Sequence, residues 1–208
     1  GLDEAVGKVI AGNYDVATAQ KALQVKQEAQ AKEAAKAAKL NELFGPALRL
    51  AGEKKLPEAV AAIDKTLEAN PDYAGDVAPL KFSLLLAYDE DAAQKYVARA
   101  ATGELKDKSN VLNGMAWGIV GPESKIKKPD YAAAVTIAEA AVAASQEKSP
   151  HILDTLSYAY EKAGDLDKAI ATEEKAIALF PPDTKSEDMA NFMVRVATLK
   201  KLKASGAK

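Results

Sequence analysis

The chain has no cysteine among its 208 residues and only one histidine, His151. Disulfides, thiolate nucleophiles and cysteine-based zinc or iron–sulfur sites are therefore excluded, and a histidine metal cluster cannot form. Aromatic residues make up 6% of the chain against 48% hydrophobic residues overall, so alanine carries much of the apolar content. That balance suits helices packed through small side chains and does not favour strands. No excess of one charge exists: 28 basic and 30 acidic residues leave a net charge of −2, without the basic footprint that nucleic acid or an anionic membrane requires. The longest near-apolar stretch, Ala132 to Ala144, is interrupted by Thr136 and Glu139. It falls short of the roughly 20 apolar residues of a membrane-spanning helix. No GxGxxG, Walker or GxSxG motif occurs. The paired acids Glu173-Glu174 and Glu187-Asp188 are adjacent in sequence, so they point to different parts of a helix surface. With no converging chemical groups, the chain is expected not to be an enzyme and to hold neither cofactor nor metal.

What the sequence does contain is clearest between Pro150 and Pro181. Ile152, Leu153, Leu156, Ala159 and Tyr160 form one helical stripe, which Gly164 ends as a C-cap. Asp165 caps a second helix with Leu166, Ala169, Ile170, Glu173, Ala176 and Ile177 on its stripe, and Pro181-Pro182 stops it. So tight a turn requires the two helices to run antiparallel. The segment resembles a tetratricopeptide repeat, whose layout over about 34 residues is W-x2-L-G-x2-Y, then A-x3-F, then P. Leu153, Leu156, Ser157 and Tyr160 match its first helix, and Ala169, Ala176 and Pro181 its second. Glu173 stands where the family has an aromatic residue. The resemblance implies an all-α, right-handed superhelix of antiparallel hairpins.

More diverged copies surround this one, at about 40–71, 72–108 and 109–149, with 150–182 the fourth and a capping helix at 184–203. The spacing of Ala59 and Pro71 equals that of Ala169 and Pro181. In the first copy Leu43, Ala47 and Leu50 form one buried stripe, Leu56, Val60, Ile63 and Leu67 the next, and Gly45-Pro46 predicts a break. In the second, the acidic run Asp89-Glu90-Asp91 opens a helix, since carboxylates favour the positive end of the dipole. In the third, Ser109 is the expected cap, and an insertion, Gly121 to Asp130, makes an exposed basic loop. Thr184 and Glu187 have capping-box spacing ahead of a last helix bearing Met189, Phe192, Met193, Val196 and Leu199. Residues 1–39 read as an N-terminal segment and linker dominated by a long, solvated helix from Asp15 to about Leu43. The amphipathic piece 2–14 is similar to the tail of a thioredoxin-like domain in proteins that fuse one to such repeats. Gly1, without a methionine, reads as a scar or a cut.

In tetratricopeptide repeats the first helices line a concave groove, and the resemblance implies that ligands lie there. Aligning the third and fourth copies on Leu112 and Leu153 puts Asn110, Asn113 and Trp117 in that groove from one copy, and His151, Asp154 and Tyr158 from the other. Trp and Tyr supply large contact area with a polar tip, and Asn can satisfy peptide amides. Groove and core remain alternative placements for Trp117 and Tyr158. Asp154 and Tyr158 replace the Lys and Asn with which some relatives clamp a terminal carboxylate, so a chaperone tail of that kind is not the expected partner. The expected function is a non-enzymatic scaffold for a protein or peptide, with no nucleic acid and no membrane insertion. The alternative is the non-catalytic part of a thioredoxin-like redox protein, which would place it outside the cytoplasm.

Overall fold

The computed structural model describes residues 16–181, 184 and 186–206, and every regular element among them is helical. The amphipathic piece at 2–14, the cap at Asp15 and Pro182 lie outside those residues. The chain divides into two compact units, Gly1–Gly45 and Pro46–Lys208. Helix α1, Val16–Gly52, supplies all that is described of the first unit. There it is nearly all exposed, with Leu23 and Val25 more than half accessible. High-propensity residues and local pairs such as Gln24 to Glu28 (2.9 Å) and Lys39 to Glu42 (3.1 Å) hold it, rather than a buried face. The break expected at Gly45-Pro46 does not occur, because α1 runs through Pro46. Proline crowds a helical residue before it through that residue's N–H and its Cβ, and Gly45 lacks the second of these.

In the second unit the remaining helices are α2 (Leu56–Ala69), α3 (Ala74–Tyr88), α4 (Glu90–Thr102), α5 (Ser109–Val120), α6 (Tyr131–Ala144), α7 (Pro150–Lys162), α8 (Leu166–Ala178) and α9 (Glu187–Ala204). A 3-10 turn, Pro71–Tyr73, joins α2 to α3. Several boundaries follow from single residues. Pro57 sits in the first turn of α2, where its missing N–H removes no bond. Asp89, Asp130 and Asp165 cap α4, α6 and α8, each accepting a backbone N–H at 2.9 to 3.0 Å. Gly164 ends α7 at φ +88°, a conformation that a Cβ disfavours. Two caps differ from expectation. Ser109 is the first residue of α5, after Lys108, and its side chain caps nothing. Ser186, not Thr184, caps α9 by accepting from Met189 N (3.2 Å), while the Thr184 hydroxyl donates to the Pro181 carbonyl.

Packing follows chain order with one regular addition. Helix α5 packs on α6 and also on α7, α7 packs on α6 and α8, and α9 packs on α8. Upstream, α3 packs on α2, α4 and α5, and α4 packs on α6. The core is a row of small and branched residues: Ala59 and Ile63, Ala93 and Val97, Leu112 and Ile119, Ala134 and Ala138, Leu153 and Ala169 are all fully buried or nearly so. The α7–α8 crossing is close enough for Ser157 Oγ to donate to the Ala169 carbonyl at 2.9 Å, which explains why both positions carry small residues. On α9 the buried residues are Phe192, Val196 and Leu199, whereas Met193, expected on the same stripe, is 55% exposed. Its place is taken by Arg195.

Candidate binding face

Helices α3, α5 and α7 pack against one another in series, so their outer sides form a common face. On its N-terminal half lies an open cavity of about 450 Å³, lined mainly by apolar groups that include Phe82 and Leu86 of α3 and Gly114 and Gly118 of α5. Asn110 stands exposed at its edge. A second open cavity, of about 280 Å³, shares Leu86 and Gly118 and is lined also by Trp117 and by Ile126 of the 121–130 loop. Two glycines one turn apart make this possible. A Cβ at Gly114 would meet nothing within 4 Å, and one at Gly118 would meet the Phe82 ring at 3.2 Å.

The expected exposed basic loop is exposed at Lys125, Lys127 and Lys128, yet it is tied down. Buried Gln94 of α4 donates to the Lys128 carbonyl (3.1 Å) and accepts from Asp130 N (2.5 Å). Glu90 accepts from Lys127 N (3.0 Å), and Ser124 Oγ donates to the Gly118 carbonyl (2.9 Å). The acidic run is used locally: Asp89 as cap, Glu90 on this loop and Asp91 with Lys95. Among the described residues, no group of three or more metal-binding side chains gathers. None of their helices is long and apolar enough to cross a membrane.

The six residues assigned to the groove separate into two sets. Asn110 and Trp117 border open space. Asn113 is half-buried with Oδ1 enclosed and unpaired. Trp117, half-buried, meets Tyr158 edge to face at 5.0 Å, so the equivalent positions of neighbouring copies do touch. From Tyr158 onward the face is covered by α9. The Arg195 guanidinium lies 3.2 Å from the centre of the Tyr158 ring. Its Nε is 3.4 Å from both Asp154 and Glu173, and its Nη2 donates to Glu161 at 2.9 Å. His151 is largely exposed, 3.6 Å from Asp188, with its ring edge to face on Phe192 of α9.

Burial pushes the Glu173 carboxyl up to about 8, with the neighbouring Asp154 charge adding to the shift. Burial likewise raises Asp154, against the pull of Arg195, and raises the Tyr158 hydroxyl. Glu173 is 0% exposed, and neither of its oxygens accepts a hydrogen bond. The adjacent Ser157 hydroxyl is directed to a backbone carbonyl instead. Arg195 was not anticipated, although its spacing from Phe192 and Leu199 puts it on the buried stripe of α9. Glu173 gave a sign of its own, as a carboxyl at a position where tetratricopeptide repeats carry an aromatic ring.

No family model, no curated protein and no solved structure matches this chain. The arrangement itself offers an apolar trough with amide groups at its border, and a separate buried charge cluster at the C-terminal end.

Proposed function

We propose that the chain is a non-enzymatic scaffold that binds a peptide segment of another protein along the face formed by α3, α5 and α7. In this reading the hairpins form a right-handed stack like that of tetratricopeptide repeats. The packing of α3 on α5 and of α5 on α7 supports it, as does the Leu153 to Pro181 pattern. The observation that carries the proposal is the open apolar trough bounded by Asn110 at one end and Trp117 at the other. A trough of this kind takes apolar side chains, while Asn110 can bond the peptide backbone. The face from Asp154 to Glu161 is occupied by α9, so the ligand contacts are Asn110, Trp117 and the α3 side chains. His151, Asp154 and Tyr158 instead fasten the terminal helix. The redox-fusion alternative rests on residues 2–14 and has no further support among the described residues.

The test is selection from a peptide display library against the intact chain, with Gly114→Gln as the counter-selector. This substitution extends a side chain into the trough from a position where the added Cβ meets nothing within 4 Å. Enriched peptides should lose at least tenfold in affinity for Gly114→Gln and for Asn110→Ala, with helicity unchanged. Peptides that bind all three proteins equally, or no enrichment at all, would count against the reading.

A further inference from the structure

Three carboxyl groups converge on one guanidinium at the C-terminal end. Asp154 and Glu161 come from α7, Glu173 from α8 and Arg195 from α9. A single cation cannot neutralise three carboxylates, and an ionised Glu173 would lie enclosed with no hydrogen bond to either oxygen and only the shared Arg195 Nε nearby, at 3.4 Å. A protonated carboxyl is neutral, and its O–H has an acceptor at hand in Asp154. A proton on Glu173 therefore halves the uncompensated charge of the cluster, leaving Asp154 and Glu161 to share Arg195. It also forms the main polar tie between α9 and the rest of the stack. The other ties are exposed pairs, Glu174 with Lys200, Asp167 with Lys203 and His151 with Asp188, and exposed pairs contribute little.

We propose that α9 is a proton-controlled latch, held closed over α7 and α8 while the buried Glu173 carboxyl carries a proton and loosened when that proton is lost. Opening would uncover Tyr158 and Asp154, extending the α5–α7 face by the length that α9 now occupies. The charged and titratable groups that face Glu173 are Asp154, Tyr158 and Glu161 from α7, with His151 one turn away acting on Asp154, and Arg195 from α9. On α8 itself, Glu174 and Lys175 pair away from the cluster, with Lys200 and with Glu147.

The direction follows from proton binding. The docked state holds the Glu173 proton up to about pH 8, against an ordinary value of 4.5 when the group is free. Docking is thus fully stabilised below about pH 4.5 and weakens as pH rises, by roughly tenfold per pH unit between pH 6 and 8. Trp117 is the only tryptophan and touches the ring on which Arg195 stacks, so its fluorescence reports the latch.

The experiment follows Trp117 emission and α9 amide-exchange protection, normalised to an unstructured peptide of the same sequence, from pH 6 to 9. Wild type should lose protection in α9 along the slope given above, and His151→Asn, which removes the imidazole, should keep that slope. Glu173→Gln should be flat. An unchanged slope in Glu173→Gln, or a flat wild type, overturns the proposal. Glu173→Met is the second neutral variant. Should neither neutral variant fold, the claim that the neutral side chain is the one that fits would be refuted.

Discussion

Replacing Gly114 by alanine should make the protein more stable, while the same change one turn later at Gly118 should make it less so. A glycine inside a helix costs about 0.5–1 kcal/mol relative to alanine, because the unfolded chain loses more freedom when it is fixed. At Gly114 nothing opposes that gain, since the new methyl group would find no atom within 4 Å. Gly114→Ala is therefore expected to add close to 1 kcal/mol, raising Tm by about 2–4 °C for a domain of this size. At Gly118 the methyl group would lie 3.2 Å from Cε1 of Phe82, a ring only 5% exposed and held between α3 and α5. Crowding a packed ring costs about 1–3 kcal/mol, which outweighs the helix gain and leaves Gly118→Ala destabilised by about 1 kcal/mol. Urea unfolding followed by circular dichroism measures both. If Gly114→Ala were destabilising, the trough would not be open. If the two substitutions were equally stabilising, α3 and α5 would not approach as closely as described.

Ala169→Leu should cost about 1–3 kcal/mol, because Ala169 is fully buried beside Ser157 where α7 and α8 cross; an unchanged Tm would remove it from that crossing. Arg195→Met should cost about 3 kcal/mol at pH 7, as expected when a buried charge partner is lost, and should quench or shift Trp117 emission by freeing the Tyr158 ring. The cost should be nearly unchanged in a Glu173→Gln background at pH 7, because Glu173 is already neutral there and Asp154 and Glu161 are the charges left unpaired; a cost smaller by about 1 kcal/mol or more in that double-mutant cycle would show that Glu173 is ionised in the closed state.

The helices were legible because their signals are local. Gly164 and Asp165 act within one turn of where they stand, and stripes such as Ile152, Leu153, Leu156 and Ala159 need only the helical period to be recognised. Where competing local signals existed, the reading went astray. Thr184 and Glu187 fit a capping box, but Ser186 is one residue before the helix and takes the Met189 N–H. Gly45-Pro46 carries two residues that usually break helices, although the first relieves part of the strain that the second would impose. The binding face was legible in part. Positions aligned across copies do meet, as Trp117 and Tyr158 show, because they recur at the same height on neighbouring helices. Repeat periodicity says nothing about which helix will cover a face, so the occupation of Asp154 and Tyr158 by Arg195 could not be read from the fourth copy alone. The same holds for the carboxyl pair. Glu173 and Asp154 are on different helices, and pairing Glu173 with its sequence neighbour Glu174 missed the contact that matters.

The insertion between α5 and α6 bears on how the molecule comes apart. In a linear array each repeat is stabilised by its neighbours alone, so unfolding can start at an end and advance repeat by repeat. The segment from Gly121 to Asp130 alters that sequence of events by stitching its own hairpin to the one before it, through Gln94 and Glu90 of α4. Fraying that enters from either end meets a boundary at which two hairpins must open together. The central pair should therefore behave as one cooperative block, the last part of the stack to melt, and the trough bounded by Asn110 and Trp117 lies within it.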